Sequence, residues 1–385
     1  MTARPLDGIT VVSVEHAIAA PFCTRQLADL GARVIKIERP GTGDFARAYD
    51  TRARGMASHF VWVNRSKESL ALDLKDPESH ATLMKLLKYA DVFVQNLAPG
   101  AADRMGLGYD ALKLRNPRLI VCDISGYGSD GPYKDKKAYD LLVQSEAGFL
   151  SVTGSEDGPA KAGCSIADIA AGMYSYSSIL AALLRRASTG TGCRIDVSML
   201  ECMAEWMSFP LYYAMDGAQP PIAAGASHAS IYPYGPFKAG DGRVVMVGIQ
   251  NEREWKNFCD KVLGDPDLAF DARFDTNPKR SASRDALSQI ILNVFGQLTA
   301  DEVVSRLEAA DIANAVVRDM HQVWDHPQLK ARNRWTEVDT PVGPMPALYP
   351  PALPAEFNPR MDPIPHVGEH NVAILTELLE AEHAG

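Results

Sequence analysis

The spacing of apolar residues changes along the chain and sorts it into elements. Near the start, residues 10–14 form a short β-branched run, Pro21 stands where a helix opens, Gly31 where one closes, and residues 33–38 read as a second strand. This is a strand–helix–strand unit. The alternation continues with strands predicted at 69–74, 91–95 and 118–124 and a helix at 77–88. Strands that alternate with helices predict a parallel, doubly wound, Rossmann-like sheet, so the fold class is α/β. From 165 to 185, Ile166, Ile169, Met173, Ile179 and Leu183 recur at helical spacing, followed by a strand at 194–198 and helix through Tyr213.

The texture then changes. Residues 219–230 are rich in Pro, Ala, Gly and Ser and read as a linker. Asp241-Gly242 between strand-like runs signals a hairpin, and helices are predicted at 286–298 and 300–310, with Thr299 and Glu302 at capping-box spacing. The pattern therefore places a large domain at 1–215, to which 330–385 returns, and a linker plus a smaller α+β domain at 216–329. Residues 340–365 carry many prolines and read as an extended strap before a last helix at 373–381.

Composition narrows the classes of function. With 385 residues, 46% of them hydrophobic, the chain can fill two cores. A net charge of −9 without a dense basic tract opposes nucleic-acid binding, and an acidic ligand requires Arg and Lys gathered in one place. No uninterrupted apolar run approaches the roughly 20 residues of a membrane span, because Asp168 and Gly172 break the longest one. No basic region with a long apolar stretch precedes the first strand, so secretion is not expected. Six cysteines without a C-x-x-C pair argue against zinc and against a disulfide framework, which fits a cytoplasmic protein.

Three chemical motifs are set aside. Gly41-Thr-Gly-Asp44 lacks the Lys-Ser/Thr of a phosphate loop. His366-Val-Gly-Glu369-His370 has the order of some zinc peptidases, but Gly368 and Pro365 are poor helix material, so no metal is expected. No G-x-S-x-G elbow is present. Asp168 is different, a carboxylate in the first turn of an otherwise small and apolar helix. It reads equally as a cap, since Ser165 and Asp168 have nearly capping-box spacing, and as a nucleophile kept ionised by free helix amides, with room for a thioester beside Gly163, Ala167 and Gly172.

Several segments in order decide between them: Pro5-Leu-Asp-Gly-Ile9, residues 31–40 with Gly43-Asp44, Asn64-Arg-Ser-Lys67, Leu72-Asp-Leu-Lys75, Asn96-Leu-Ala-Pro-Gly100, Arg104-Met-Gly-Leu-Gly108, residues 126–132, Ala138-Tyr-Asp140, the Asp168 segment and His326-Pro-Gln-Leu329. Together they resemble the CaiB/BaiF (class III) coenzyme A transferases almost end to end. The resemblance implies two ring-like monomers interlocked as a homodimer, and acyl-CoA as a substrate with no tightly bound cofactor. It implies that Asp168 attacks the acyl-CoA donor to give a mixed anhydride, which CoA opens to an aspartyl thioester. By the same resemblance Arg39, Arg104 and Lys137 meet the CoA phosphates, Leu72, Lys75 and Met105 line the nucleotide end, and Asn96 belongs to the CoA-binding set.

Two departures bear on the substrate. His16-Ala17-Ile18 lacks the glutamine of formyl-CoA transferases, and 225–235 differs from their glycine-rich loop, which argues against formyl and oxalyl substrates. The racemase branch of the family pairs its aspartate with a histidine, and that position is Tyr139, a poor base at neutral pH with an ordinary pKa of about 10. A non-catalytic CoA-binding protein is the other alternative. Residues 15–23, 161–168 and 250–255 resemble transferases for C4 to C5 dicarboxylates such as itaconate, mesaconate, citramalate or malate, with succinyl-CoA as donor. His16, Arg47, Tyr139 and His228 are the candidates for an acceptor's distal carboxylate, and each has an ordinary structural role as its alternative.

Overall fold

The computed structural model describes residues 3–352 and 355–384. Its chain divides into two compact units, residues 1–149, 161–209 and 329–385 in the larger and 150–160 with 210–328 in the smaller. Residues 150–160 thus leave the larger unit, although they lie within the span predicted for the large domain. They fold on themselves through a two-residue ladder, Gly154–Ser155 against Gly158–Pro159.

The larger unit is built on six parallel strands, β1 (Thr10–Val14), β2 (Arg33–Glu38), β3 (Lys67–Ala71), β4 (Val92–Gln95), β5 (Ile120–Ser125) and β6 (Arg194–Ser198), in the order β3-β2-β1-β4-β5-β6. The principal helices are α1 (Ala19–Asp29), α2 (Pro77–Tyr89), α3 (Ala101–Arg104), α4 (Asp140–Glu146) and α5 (Ile166–Thr189). Alternate residues feed two cores: Val11, Val34, Val92, Val94 and Cys122 meet α1 and α5, while Val12, Ile35, Phe93 and Val121 meet α2. This is the doubly wound arrangement that the alternating pattern predicts. β3 begins two residues earlier than expected, because Lys67 and Ser69 face the α1 side, where polar partners await them.

α5 is long and apolar enough to pass for a membrane span by length and composition, despite Asp168 and Gly172. The sequence expectation of no such stretch is corrected on that point. Its buried Ala167, Ala170, Ala171, Ile179 and Ala182 are part of the core shared with α1. A side chain at Gly172 would lie 2.8 Å from the Ala19 carbonyl and 2.9 Å from Phe22, so the two helices meet at a glycine.

In the smaller unit, β7 (Tyr234–Lys238), β8 (Val244–Gly248) and β9 (Ala313–Val316) form an antiparallel sheet in the order β9-β8-β7. Asp241-Gly242 makes the expected hairpin turn. Helices Arg284–Phe295 and Ala300–Ala309 pack Leu287, Ile291, Phe295, Val303 and Leu307 around Trp255 and Phe258, and the Thr299/Glu302 capping box is formed in both directions.

The chain then returns to the larger unit through a hairpin, β10 (Trp335–Val338) with β11 (Met345–Leu348), and ends in α6 (Asn371–Ala384). Residues 353 and 354 of the predicted strap lie outside the described residues. The His366–His370 motif covers the open edge of β3: His370 Nδ1 accepts from Ser69 N–H and its own N–H donates to the Ser69 carbonyl, while Asn371 accepts from Ala71 N–H. Among the described residues no cluster of three metal-ligating side chains occurs.

Candidate active site

The start of α5 is held by a neighbouring helix and not by its own residues. Ser165 makes no capping hydrogen bond. Instead Asp140, the first residue of α4, accepts from the amides of Ala167 and Asp168 through Oδ1, at 2.8 and 3.3 Å. Its Oδ2 accepts from Gln144 Nε2 at 2.6 Å, and Gln144 Oε1 accepts from Ala162 N–H at 3.0 Å. The Gly126 backbone lies so close to Ala138 that an added Cβ would be 2.1 Å from the Ala138 Cβ, which explains a glycine where the chain turns toward Tyr139 and Asp140.

Asp168 is half-buried, and among the described residues its carboxylate makes no hydrogen bond or ion pair. Burial, and second the charge of Asp140, push it up to about 7. The expectation that free helix amides keep this carboxylate ionised is therefore corrected. Asp140 has taken those amides, and its own charge opposes a second one.

A buried ionic network links the first three strands, from Glu15 after β1, Lys36 within β2 and Lys67 at the start of β3. Lys36 Nζ donates to Asp44 and Asn64 at 2.7 and 3.0 Å, Lys67 Nζ donates to Glu15 at 2.7 Å, and Lys36 lies 3.6 Å from Glu15. Burial favours the neutral forms, but the paired charges prevail at Glu15 and Asp44, which are lowered, and at Lys36, which is raised. Beside this network the strand order reverses, between β1 and β4, where a doubly wound sheet opens its crevice. Asn96 bridges it, accepting from His16 N–H and donating to the His16 carbonyl, both at 2.9 Å. Ala17 beside it holds φ 60°, a left-handed conformation unusual for a residue with a side chain.

His16 stacks on Phe45 at 5.2 Å, Phe45 meets Tyr49, and Tyr49 meets His59. His16 Nδ1 is buried without a hydrogen bond, 3.9 Å from Asp44, and burial lowers its pKa. The Tyr49 hydroxyl is raised to about 12 by burial and then by Asp44, Asp168 and Tyr139, which places it electrostatically among them. Phe45 and Tyr49 carry no sequence signal of these contacts, which depend on a loop folding back, whereas the four-residue spacing of Asp140 and Gln144 signals their mutual contact but not the one across to α5.

The remaining predicted residues divide. Arg39, Lys75, Arg104 and Lys137 are exposed on segments following the C-terminal ends of β2 to β5, and none forms an ion pair among the described residues. Met105 is half-buried, its carbonyl 2.7 Å from His80 Nε2. Leu72 belongs to the α2 core instead of lining an open surface. Arg47 is committed to Glu38 by two hydrogen bonds of 2.9 and 2.8 Å and stacks 3.8 Å from the Phe60 ring, so an acceptor would have to displace a buried partner. Tyr139 is exposed beside Asp140. His228, in the smaller unit, stacks on Tyr234 and accepts through Nδ1 from the amides of Ser230 and Ile231, which explains it structurally.

A carboxylate without a partner at a helix start, a switch-point crevice and unpaired cations beyond four strand ends describe a site for an acidic ligand. Residues 6–371 match the family described as CoA-transferase family III. The chain belongs to that family. As a family III CoA-transferase it is 33% identical to the succinyl-CoA:glutarate CoA-transferase of Homo sapiens over 98% of this chain and 86% of that protein. It is 36% identical to the acetyl-CoA:oxalate CoA-transferase of Acetobacter aceti over 86% of this chain and 85% of that one. A crystal structure of a CAIB/BAIF family protein from Brucella suis superposes with a TM-score of 0.87 at 33% identity, covering 98% of this chain and 100% of that one. This CoA-transferase thus shares its fold and activity class with proteins matched over nearly its whole length.

Proposed function

We propose that this CoA-transferase moves CoA from succinyl-CoA to a dicarboxylic acid of four to five carbons, such as glutarate, mesaconate or itaconate, with Asp168 as the covalent carrier. The observation that carries the proposal is the Asp168 carboxylate itself, half-buried, without a hydrogen bond or ion pair among the described residues and raised to about 7. A structural carboxylate in that position would be paired; a nucleophile has to keep a lone pair for its electrophile. A pKa near the working pH leaves a basic, reactive carboxylate in the ionised fraction.

The steps balance without an external oxidant or base. An Asp168 oxygen forms a bond to the thioester carbon, the C–S bond breaks, and CoA leaves as thiolate. The thiolate attacks the Asp168 carbonyl of the resulting anhydride and expels succinate, leaving an aspartyl thioester. The acceptor carboxylate then attacks that thioester, thiolate leaves again, and its return to the acceptor's carbonyl releases Asp168. Every intermediate stays near thioester energy, so the sequence requires only that water be kept out.

Arg39, Arg104 and Lys137 are proposed to meet the CoA phosphates, with Lys75 and Met105 near the nucleotide and Asn96 in the CoA-binding set. Asn96 acts by fixing the His16 backbone at the crevice. For the acceptor, His16 and Tyr139 remain, and Tyr49 joins them. The human relative's named substrates support succinyl-CoA and a five-carbon acceptor; oxalate, named for the Acetobacter relative, belongs in the same test. A cytoplasmic homodimer without a tightly bound cofactor completes the reading.

The test is CoA exchange from succinyl-CoA to glutarate, mesaconate, itaconate, malate and oxalate, with mass spectrometry for an adduct on Asp168. Transfer to a C4 or C5 acid with an Asp168 adduct is the expected result. Full activity in Asp168→Ala overturns the mechanism, and preference for oxalate overturns the substrate class.

A further inference from the structure

We propose that Asp140 and Gln144 are positioning residues that reserve the Asp168 carboxylate for the electrophile by occupying the amides it would otherwise cap. The inference rests on Asp168 being the nucleophile. Asp168 is the third residue of α5, where the free amides of the first turn, its own among them, are the donors a carboxylate can reach. Here the amides of Ala167 and Asp168 are both donated to Asp140 Oδ1. Asp168 is left with nothing to bond among the described residues.

Gln144 makes that arrangement directional. It is fully buried and both ends of its amide are used, Nε2 toward Asp140 Oδ2 and Oε1 toward Ala162 N–H. One side chain therefore ties the segment leading into α5 to the carboxylate that caps α5. Asp140 and Gln144 lie one turn apart on α4, so the site's approach loop, the cap and the nucleophile are registered against a single helix.

The arrangement has an electrostatic side. Among the elements packed against α5, α1 presents Arg25 and Asp29, which pair with each other, β5 and β6 present Asp123 and Arg194, which also pair, and β6 adds Asp196, bonded to Ser129. Helix Met199–Trp206 presents Glu201 and Glu205, and α4 adds Glu146, paired with Lys136. Of all these charged groups only Asp140 acts on Asp168. The group that holds the helix start thus also adds, after burial, to the basicity of the nucleophile.

A charge relocation separates positioning from mere support. In Asp140→Asn, one amide oxygen can still accept from the helix, but the new NH2 faces the Gln144 NH2. We expect kcat to fall at least tenfold with the KM for succinyl-CoA within about threefold, because the loss is in placing the reacting carboxylate and not in holding CoA. In Asp140→Asn/Gln144→Glu, donor again meets acceptor and the charge moves across that hydrogen bond, off the group that holds the α5 amides. Most of kcat should return, and the acidic limb of the pH profile should move to lower pH.

Adduct formation on Asp168 in a single turnover, measured on the monodisperse folded fraction, keeps a folding defect from counting as an effect. Wild-type kcat and pH profile in Asp140→Asn overturn the inference, and so does a double variant no faster than the single one. An active Asp168→Ala variant overturns the nucleophile reading instead, and the two failures are thereby distinguished.

Discussion

A carboxylate that is raised toward neutrality costs its protein stability whenever it is ionised. Asp168 stands at about 7 against 3.8 in an unfolded chain, so the folded state holds the proton more tightly. Stability contributed by this residue is accordingly present in acid and declines as pH rises from about 4 to about 7. Asp168→Asn removes that cost. After allowing for its partial exposure, we expect the variant to be more stable than wild type by on the order of 1–2 kcal/mol at pH 8 and nearly equal to it at pH 4, measured by urea unfolding. Equal stability at both pH values would show that Asp168 is not desolvated as described. In the wild type, kcat/KM for transfer should fall as pH drops through about 7, following the ionised fraction of the same group.

At the scale of elements, two close contacts decide whether the crevice forms. Gly172 lets α5 settle on α1, with only 2.8 Å between a prospective Cβ and the Ala19 carbonyl. Gly172→Ala should therefore cost about 1–3 kcal/mol through overpacking, read as a lower urea midpoint with an unchanged slope. The second contact is electrostatic. Burial alone would raise Glu38, but hydrogen bonds from Arg47 and Ser69 and the Lys36 charge hold it down to about 2. Its stabilisation is complete above about pH 4.5 and is lost as pH falls through about 2. Glu38→Gln should cost about 3 kcal/mol at pH 7 by leaving Arg47 without its partner, and the difference from wild type should shrink in acid.

For the whole molecule, an acidic chain has to attract a polyanionic substrate with a few local cations. Arg39, Arg104 and Lys137 are exposed and make no ion pair among the described residues. Charges of this kind act over roughly 8 Å at physiological ionic strength. Arg39→Ala and Lys137→Ala should each raise the KM for succinyl-CoA about three- to tenfold and leave kcat nearly unchanged, and the difference should narrow in 0.5 M salt, about a 4 Å screening length. A KM that ignores both salt and these substitutions would remove them from the CoA site. Sedimentation velocity tests the proposed homodimer directly, with twice the chain mass expected.

Much of this protein follows from local rules that act within a few residues. The strand–helix alternation, the Asp241-Gly242 hairpin and the Thr299/Glu302 cap depend on short-range spacing and turn chemistry, and the described elements follow them. Family membership was legible in the same way, because its motifs are short strings in a set order. Distant segments decided the rest. Sequence spacing pointed to Ser165 as the cap of α5, yet the cap is Asp140, more than twenty residues away, because a hydrogen bond needs proximity in space and not along the chain. Arg47 likewise stood as a candidate for the acceptor's carboxylate, with a structural role as its alternative, until the fold brought Glu38 and Phe60 against it. The amino-acid sequence by itself determined which chemical groups this CoA-transferase has. Only the tertiary structure decided which of them are consumed in pairs and which, like Asp168, are left unpartnered among the described residues.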